Sequence, residues 1–282
     1  VHPALRLVRI GNVAVSFFGT VVAGLVALGV GLAVDGPVAV ALVLAAGSTA
    51  CVTAAGNTLN DVLDQATDRV NHPDRPLVTG AVSERGARRL VAALFIVALA
   101  LVVPEFPTHP WLLPILAAAI GSLLLYEYRW KSQGLRGNVL VAGLTAAVFL
   151  YGGAVTPDLL LVVPLAAMAF GATLSRELIK DMEDAAGDEG RATVPRVYGP
   201  SVAAGIAWGA VLVAIGLSAL PLLWFVGPRS VAGIMYTVLV VASDAVFVAS
   251  VAMLPNRLHL EQTLSKGAMT IALVAFLATA FR

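Results

Sequence analysis

Apolar residues fill this chain in runs of about 20, cut at intervals by short clusters of Pro, Gly and charged residues. At 1.5 Å per helical residue such a run matches the hydrocarbon thickness of a bilayer. Windows of that length predict nine spanning helices, at 12–34, 37–60, 88–104, 111–128, 138–155, 158–179, 200–225, 231–254 and 267–281. Connections such as DGP (35–37) and TPD (156–158) are short enough to force their helices antiparallel. The expected fold is all-α, a polytopic membrane bundle forming a single transmembrane domain over 1–282.

Composition adds exclusions. Only 12% of residues are charged, 59% are apolar and the mean hydropathy is +0.90, where soluble domains carry about 25% charge, so a soluble globular enzyme is ruled out. The net charge of +1, with no free-standing basic stretch, excludes a nucleic-acid partner. Cys51 is the single cysteine and sits in an apolar run, which leaves no disulfide framework and no cysteine zinc site. Arg6 and Arg9 precede an apolar segment without a small-residue cleavage site, so that segment reads as a retained first span.

Charge matters here by position. Sorting the loops alternately puts 16 of the 18 Lys and Arg on one side, which assigns the N-terminus and the long loops to the cytoplasm and the C-terminus to the opposite side of a cell membrane. Thirteen of the 17 acids fall on that same side, so one face holds nearly all the polar chemistry.

Two acidic clusters stand out. NDVLDQATDRV contains Asn60, Asp61, Asp64 and Asp68 at the end of the second span, and IKDMEDAAGDEG contains Asp181, Asp184 and Asp188 at the end of the sixth. In a continuous helix the three Asp of the first set would lie within about 60° of one another. The second set repeats the steps of three and four at an offset of 120 residues, as two pseudo-repeated halves with facing sites would. One such Asp is accounted for equally well as a solvated topology anchor. Six in matched patterns call for a use, because clustered like charge near a membrane is costly.

Opposed carboxylate stripes need cations between them, and hard divalent ions that take oxygen ligands and substrate phosphates suit them. Two Mg²⁺ ions bridged by a phosphorylated ligand are expected, with Arg69, Arg75, Lys131, Arg191 and Arg196 beside them to balance the anion. A diphosphate in front of an apolar cavity describes a prenyl diphosphate: ionisation of its allylic C–O bond needs a stabilised leaving group, and the carbocation needs shelter from water.

At NDVLDQATD (60–68) and DMEDAAGD (181–188) the chain resembles the UbiA superfamily of intramembrane prenyltransferases, whose nine-helix fold agrees with the span count. The resemblance implies Mg²⁺ held by Asn60, Asp64, Asp68, Asp184 and Asp188 around a prenyl diphosphate donor, with Asp61 and Asp181 supporting the metals or touching phosphate or acceptor. YEYRWK (126–131) is similar to the family's Tyr and Lys segment after the fourth helix, which implies roles for Tyr128 and Lys131 in binding substrate. DRVNHPDRPLVTG (68–80) and RELIKDMEDAAGD (176–188) look most like the archaeal branch that joins a geranylgeranyl group to geranylgeranylglyceryl phosphate, whereas aromatic-acceptor members such as 4-hydroxybenzoate prenyltransferases look less similar there. Val78 and Thr79 depart from the Pro-Ser commonly seen before Gly80.

Other polar residues are less telling. Asp244, alone within the eighth span, either faces the cavity or is satisfied by a neighbouring helix, and the latter is the simpler reading. His72 and His259 have no partner at metal-ligand spacing and read as solvent-exposed. Asn12 and Asn138 stand near the cytoplasmic ends of spans, where each would line the substrate pocket or cap a helix. GLVALGVGL (24–32) is a small-residue packing pattern with no nucleotide fingerprint. An ion-coupled carrier is the main rival, but carriers put their acids near the bilayer midplane, whereas these lie at helix ends.

Overall fold

The computed structural model describes residues 2–29, 36–186, 190–224 and 226–282, without the side chains of Asn71 and Ala186. Asp188 and part of the DGP connection lie outside these residues. The described chain contains helices and turns but no strand. In order the helices are α1 (Pro3–Leu7), α2 (Ile10–Leu28), α3 (Gly36–Leu63), α4 (Gln65–Asn71), α5 (Glu84–Val102), α6 (Leu112–Leu125) and α7 (Leu135–Gly153). They continue as α8 (Val163–Glu183), α9 (Val194–Tyr198), α10 (Pro200–Leu217), α11 (Leu220–Trp224), α12 (Val231–Val251) and α13 (Leu258–Thr279).

Eight described helical segments are long and apolar enough to cross a membrane, from α2 to α12. The segment expected at 267–281 belongs to α13, which starts nine residues earlier, at Leu258, and carries Glu261 and Lys266 in its first half. The extension has a packing cause: Glu261, Gln262 and Ser265 are buried, so this polar stretch gains partners by staying helical. Ser83 and Ser230 cap the starts of α5 and α12 by accepting from the backbone N–H three residues on.

Lipid provides no hydrophobic drive between helices, so close contact and satisfied polar groups hold such a bundle together. α2 packs on α3 and α7, α8 on α7 and α10, and α13 on α12, α8 and α2. Gly152 shows how tight the α2–α7 contact is, since a Cβ there would stand 2.2 Å from the Thr20 carbonyl oxygen and 2.8 Å from the Ala23 Cβ. Buried hydroxyls tie the layers: Thr20 donates to Thr49 at 3.0 Å, Tyr236 to the Ser218 carbonyl at 2.7 Å, and Ser243 to the Ala268 carbonyl at 2.9 Å.

Gly152→Ala is expected to cost about 1–3 kcal/mol, because a backbone oxygen cannot step aside as a side chain can. Unfolding midpoints in detergent test this: Gly152→Ala should melt below the parent, while Gly143→Ala on the same helix, where nothing lies within 4 Å of the added carbon, should not.

Candidate functional site

The helix that carries the first acidic cluster is interrupted. α3 stops at Leu63, and Asp64 opens α4 with φ −93° and ψ 9°. Asp61 thus ends one helix, Asp64 sits at the joint and Asp68 lies on the next helix. This corrects the unbroken helix expected from spacing alone, although Asp61 and Asp68 still come together. The three carboxylates would repel without cations: Asp61 and Asp68 share one Arg75 nitrogen, and Asp64 takes Lys131 and Arg191.

Asp61 is 2% exposed and accepts from Arg9 at 2.6 Å and from Arg75 at 3.1 Å. Arg75 also holds Asp68, which is 4% exposed. Asp64 takes the Lys131 ammonium at 2.5 Å on one oxygen and Arg191 at 3.5 Å on the other. Burial pushes the Asp68 carboxyl above the usual carboxylate range, the Arg75 guanidinium pulls it back, and the charges of Asp61 and Asp64 push it up.

Two members of this network, Arg9 and Glu127, were not among the site residues expected from sequence. Arg9 donates to the Asn60 side-chain oxygen at 3.0 Å as well as to Asp61. It adopts a left-handed φ of 53° between α1 and α2, a strained backbone that tertiary contacts must hold. Glu127 accepts from Asn60 at 3.2 Å and from Lys131 at 3.1 Å. Arg9 lies 51 residues from Asn60 in sequence and Glu127 lies 67 away, so no local pattern links them.

The turn Tyr126–Trp130 has the wide π form, often found at functional sites. It aims Glu127 and Lys131 at the acidic cluster, and of its two tyrosines Tyr126 lines the cavity while Tyr128 is 60% exposed. Arg69 is exposed in the last turn of α4.

At the second cluster, Asp181 accepts from the buried Asn138 at 2.9 Å, and Asp184 closes α8. Arg196 donates to the Ala185 carbonyl at 2.9 Å and so ties α9 to the segment after α8. Asp188 lies outside the described residues.

One cavity of about 1040 Å³ reaches both clusters through one residue of each, Asn60 and Asp184. Arg9, Asn12, Asn60, Glu127 and Asp184 line it, as do Leu116 and Leu123 of α6, Val148 of α7, Ile215 of α10, Phe247 of α12 and Leu273 of α13. Asp244 also lines it, and accepts from Ser218 at 2.9 Å, so both readings of that residue hold. His72 and His259 are exposed, as expected, and both border the cavity. Among the described residues no three His, Cys, Asp or Glu side chains converge into a ready metal cage.

The sequence and the fold have counterparts among known proteins. The sequence profile of the UbiA prenyltransferase family matches residues 17–273, nearly the whole chain. The chain belongs to the UbiA prenyltransferase family. As a member of that family it is a prenyltransferase, an integral multi-pass membrane protein rather than the ion-coupled carrier considered from sequence. It is 43% identical over 232 residues to a digeranylgeranylglyceryl phosphate synthase of Natronomonas pharaonis, covering 79% of this chain and 78% of that one. A solved structure from work on digeranylgeranylglyceryl phosphate synthase in membranes matches with a TM-score of 0.78 and 29% identity, covering 99% of this chain and 98% of that chain. The UbiA homologue of Archaeoglobus fulgidus bound to GPP and Mg²⁺ shares the fold, with a TM-score of 0.68 at 18% identity over 99% of this chain and 98% of its own.

The role of Arg75 in this UbiA site can be measured. Arg75→Leu removes two charge-assisted contacts from buried carboxylates and is expected to cost about 1–3 kcal/mol at neutral pH. The folded pKa of Asp68 is raised, so its ionisation opposes folding as pH rises, and Arg75 limits that cost. The gap in unfolding midpoint between parent and Arg75→Leu should therefore be widest near pH 7 and narrow on acidification toward about pH 4, as the carboxylates protonate.

Proposed function

We propose that this protein is an Mg²⁺-dependent intramembrane prenyltransferase that moves a geranylgeranyl group from its diphosphate to the free hydroxyl of geranylgeranylglyceryl phosphate. The observation that carries the reading is a network of motif carboxylates and cations beside a cavity lined by Asn60 of the first motif and Asp184 of the second. The acceptor rests on the named relatives, 43% identical in the N. pharaonis case.

The residues fit the metal. Asn60, Asp64, Asp68 and Asp184 offer hard oxygen donors, and an ion that uses one or two carboxylates and completes its shell with phosphate oxygens requires no three-residue cage. These four would hold it, with Asp188 added on sequence grounds. Bound Mg²⁺ supplies positive charge to the leaving diphosphate, and two ions match the two clusters. Asp61 holds Arg9 and Arg75 in place, and Asp181 orients Asn138. Arg75 and Lys131 are positioned to exchange a carboxylate partner for phosphate, with Arg69, Tyr128, Asn12 and Asn138 as further substrate contacts.

In the reaction the allylic C–O bond breaks and the diphosphate leaves with the electron pair. The acceptor hydroxyl oxygen attacks the resulting cation, a new C–O ether bond forms, and the hydroxyl proton is lost. The apolar cavity walls keep water from capturing the cation first. In this reading α13 is the ninth span, the chain consists of two pseudo-repeated halves, and the motif loops and the N-terminus face the cytoplasm.

The test is to give purified protein in detergent Mg²⁺ and geranylgeranyl diphosphate, with geranylgeranylglyceryl phosphate and 4-hydroxybenzoate offered in parallel and products resolved by mass. A digeranylgeranyl ether is expected, lost with EDTA and restored by Mg²⁺. Asp64→Ala and Asp184→Ala should each lower turnover on the order of 10²-fold or more while the protein stays folded. Metal-independent turnover would overturn the mechanism, and a prenylated benzoate alone would overturn the acceptor.

A further inference from the structure

The cavity wall made by α8 and α13 carries charge that the donor chemistry above leaves unused. Thr173, Arg176 and Lys180 of α8 line it, and so do His259, Gln262 and Lys266 of α13. Steps of three and four along each helix turn each set to one face. Arg176 stands eight residues before Asp184, about 12 Å deeper along α8. A guanidinium that far inside a spanning helix, facing a cavity, marks a functional position.

Much of the wall's negative charge is already matched. Glu177 pairs with Lys180 at 3.8 Å, Glu183 lies 3.4 Å from the His259 ring nitrogen, and Asp184 belongs to the second motif. Glu261, fully buried on α13, accepts from Ser250 at 3.3 Å through one oxygen, has no hydrogen-bond partner on the other, and feels the positive charge of Arg176. Arg176 gives one long contact, to Gln262 at 3.4 Å, and its buried Nε has no hydrogen-bond partner. Lys266 lies one turn of α13 beyond Gln262 and is exposed to the cavity. Among the described residues neither Arg176 nor Lys266 forms an ion pair within 4.0 Å.

Two cations with donors to spare, set on helices other than those holding Asn60 to Asp68 and Lys131, suit a second phosphate. We propose that Arg176 and Lys266 bind the phosphate of the lipid acceptor, with Gln262 steering the guanidinium. This rests on the acceptor reading above and adds the residues that select it. Both substrates carry a phosphate head on a long apolar tail, so a single cation site would bind either one. A separate monoester site lets the diphosphate take the motif residues while the acceptor's hydroxyl is presented to the donor.

Steady-state kinetics on the full chain test this, with geranylgeranylglyceryl phosphate and its phosphate-free analogue geranylgeranylglycerol as acceptors. Lys266→Gln should raise KM for the phosphorylated acceptor about tenfold or more, leave KM for the donor within about twofold, and shrink the preference for the phosphorylated acceptor by a similar factor. Arg176→Lys, which keeps the charge, should be milder than Arg176→Gln. An unchanged acceptor KM would overturn the proposal, and so would an equal rise in donor KM, which would assign the two cations to the diphosphate. If the parent protein makes no ether product, the acceptor reading fails instead. Direct binding of geranylgeranylglyceryl phosphate then decides: about tenfold weaker binding to Lys266→Gln supports the phosphate site, and equal binding overturns it.

Discussion

Carboxylates buried at the end of an apolar bundle must be matched by positive charge, and the polar end of this protein is arranged around that requirement. Asp61 and Asp68 are almost wholly out of solvent, where an unpaired charge costs several kcal/mol. The chain answers with cations from four separate stretches: Arg9 between the first two helices, Arg75 from the loop after α4, Lys131 after the π turn and Arg191 before α9. Each draws its stretch toward the same few oxygens. The left-handed backbone at Arg9 and the widened turn at Tyr126–Trp130 are local departures from ideal helix geometry that this matching accounts for.

Elsewhere the bundle holds itself together without filling its middle. Contacts such as Gly152 against α2, and hydroxyl pairs such as Thr20 with Thr49, let neighbouring backbones approach closely. Adhesion at the perimeter leaves a large cavity lined by side chains of α2, α3, α6, α7, α8, α10, α12 and α13. In a soluble protein a void of that size would be a heavy loss of packing. Here it suits a substrate whose tail is itself hydrocarbon.

The fold was legible because a spanning helix announces itself by length: eight of the nine predicted windows overlap described helices from α2 to α12. The exceptions are instructive. Glu261, Gln262 and Ser265 made the start of α13 look like loop, since the polarity of a residue says nothing about the partner that buries it. The joint at Asp64 was invisible for a similar reason, as the spacing 61, 64, 68 fits a continuous helix and the cations that meet these carboxylates, Arg9, Arg75 and Lys131, come from other stretches of the chain. Motif carboxylates could be read from their repeated spacing, whereas Arg9 and Glu127, with no such repeat, emerge only when distant helices are brought together. Tyr126 and Tyr128 illustrate the limit of a short motif: two residues apart, one lines the cavity and the other is exposed, and the π turn decides which.

Confinement of the charge explains how one cavity can serve an ionic leaving group and a water-sensitive cation together. Away from the motif residues and the α8–α13 cations, several of the polar groups on the walls are already engaged. Asp244 is held by Ser218, and Thr49 by Thr20 and its own helix. A wall whose hydrogen bonds are satisfied internally offers water little to bind, and an apolar space without polar partners stays dry. On the proposed reading, charge separation takes place at the polar end, where the cations lie, while the carbon skeleton rests against apolar side chains such as Leu123, Val148, Ile215, Phe247 and Leu273.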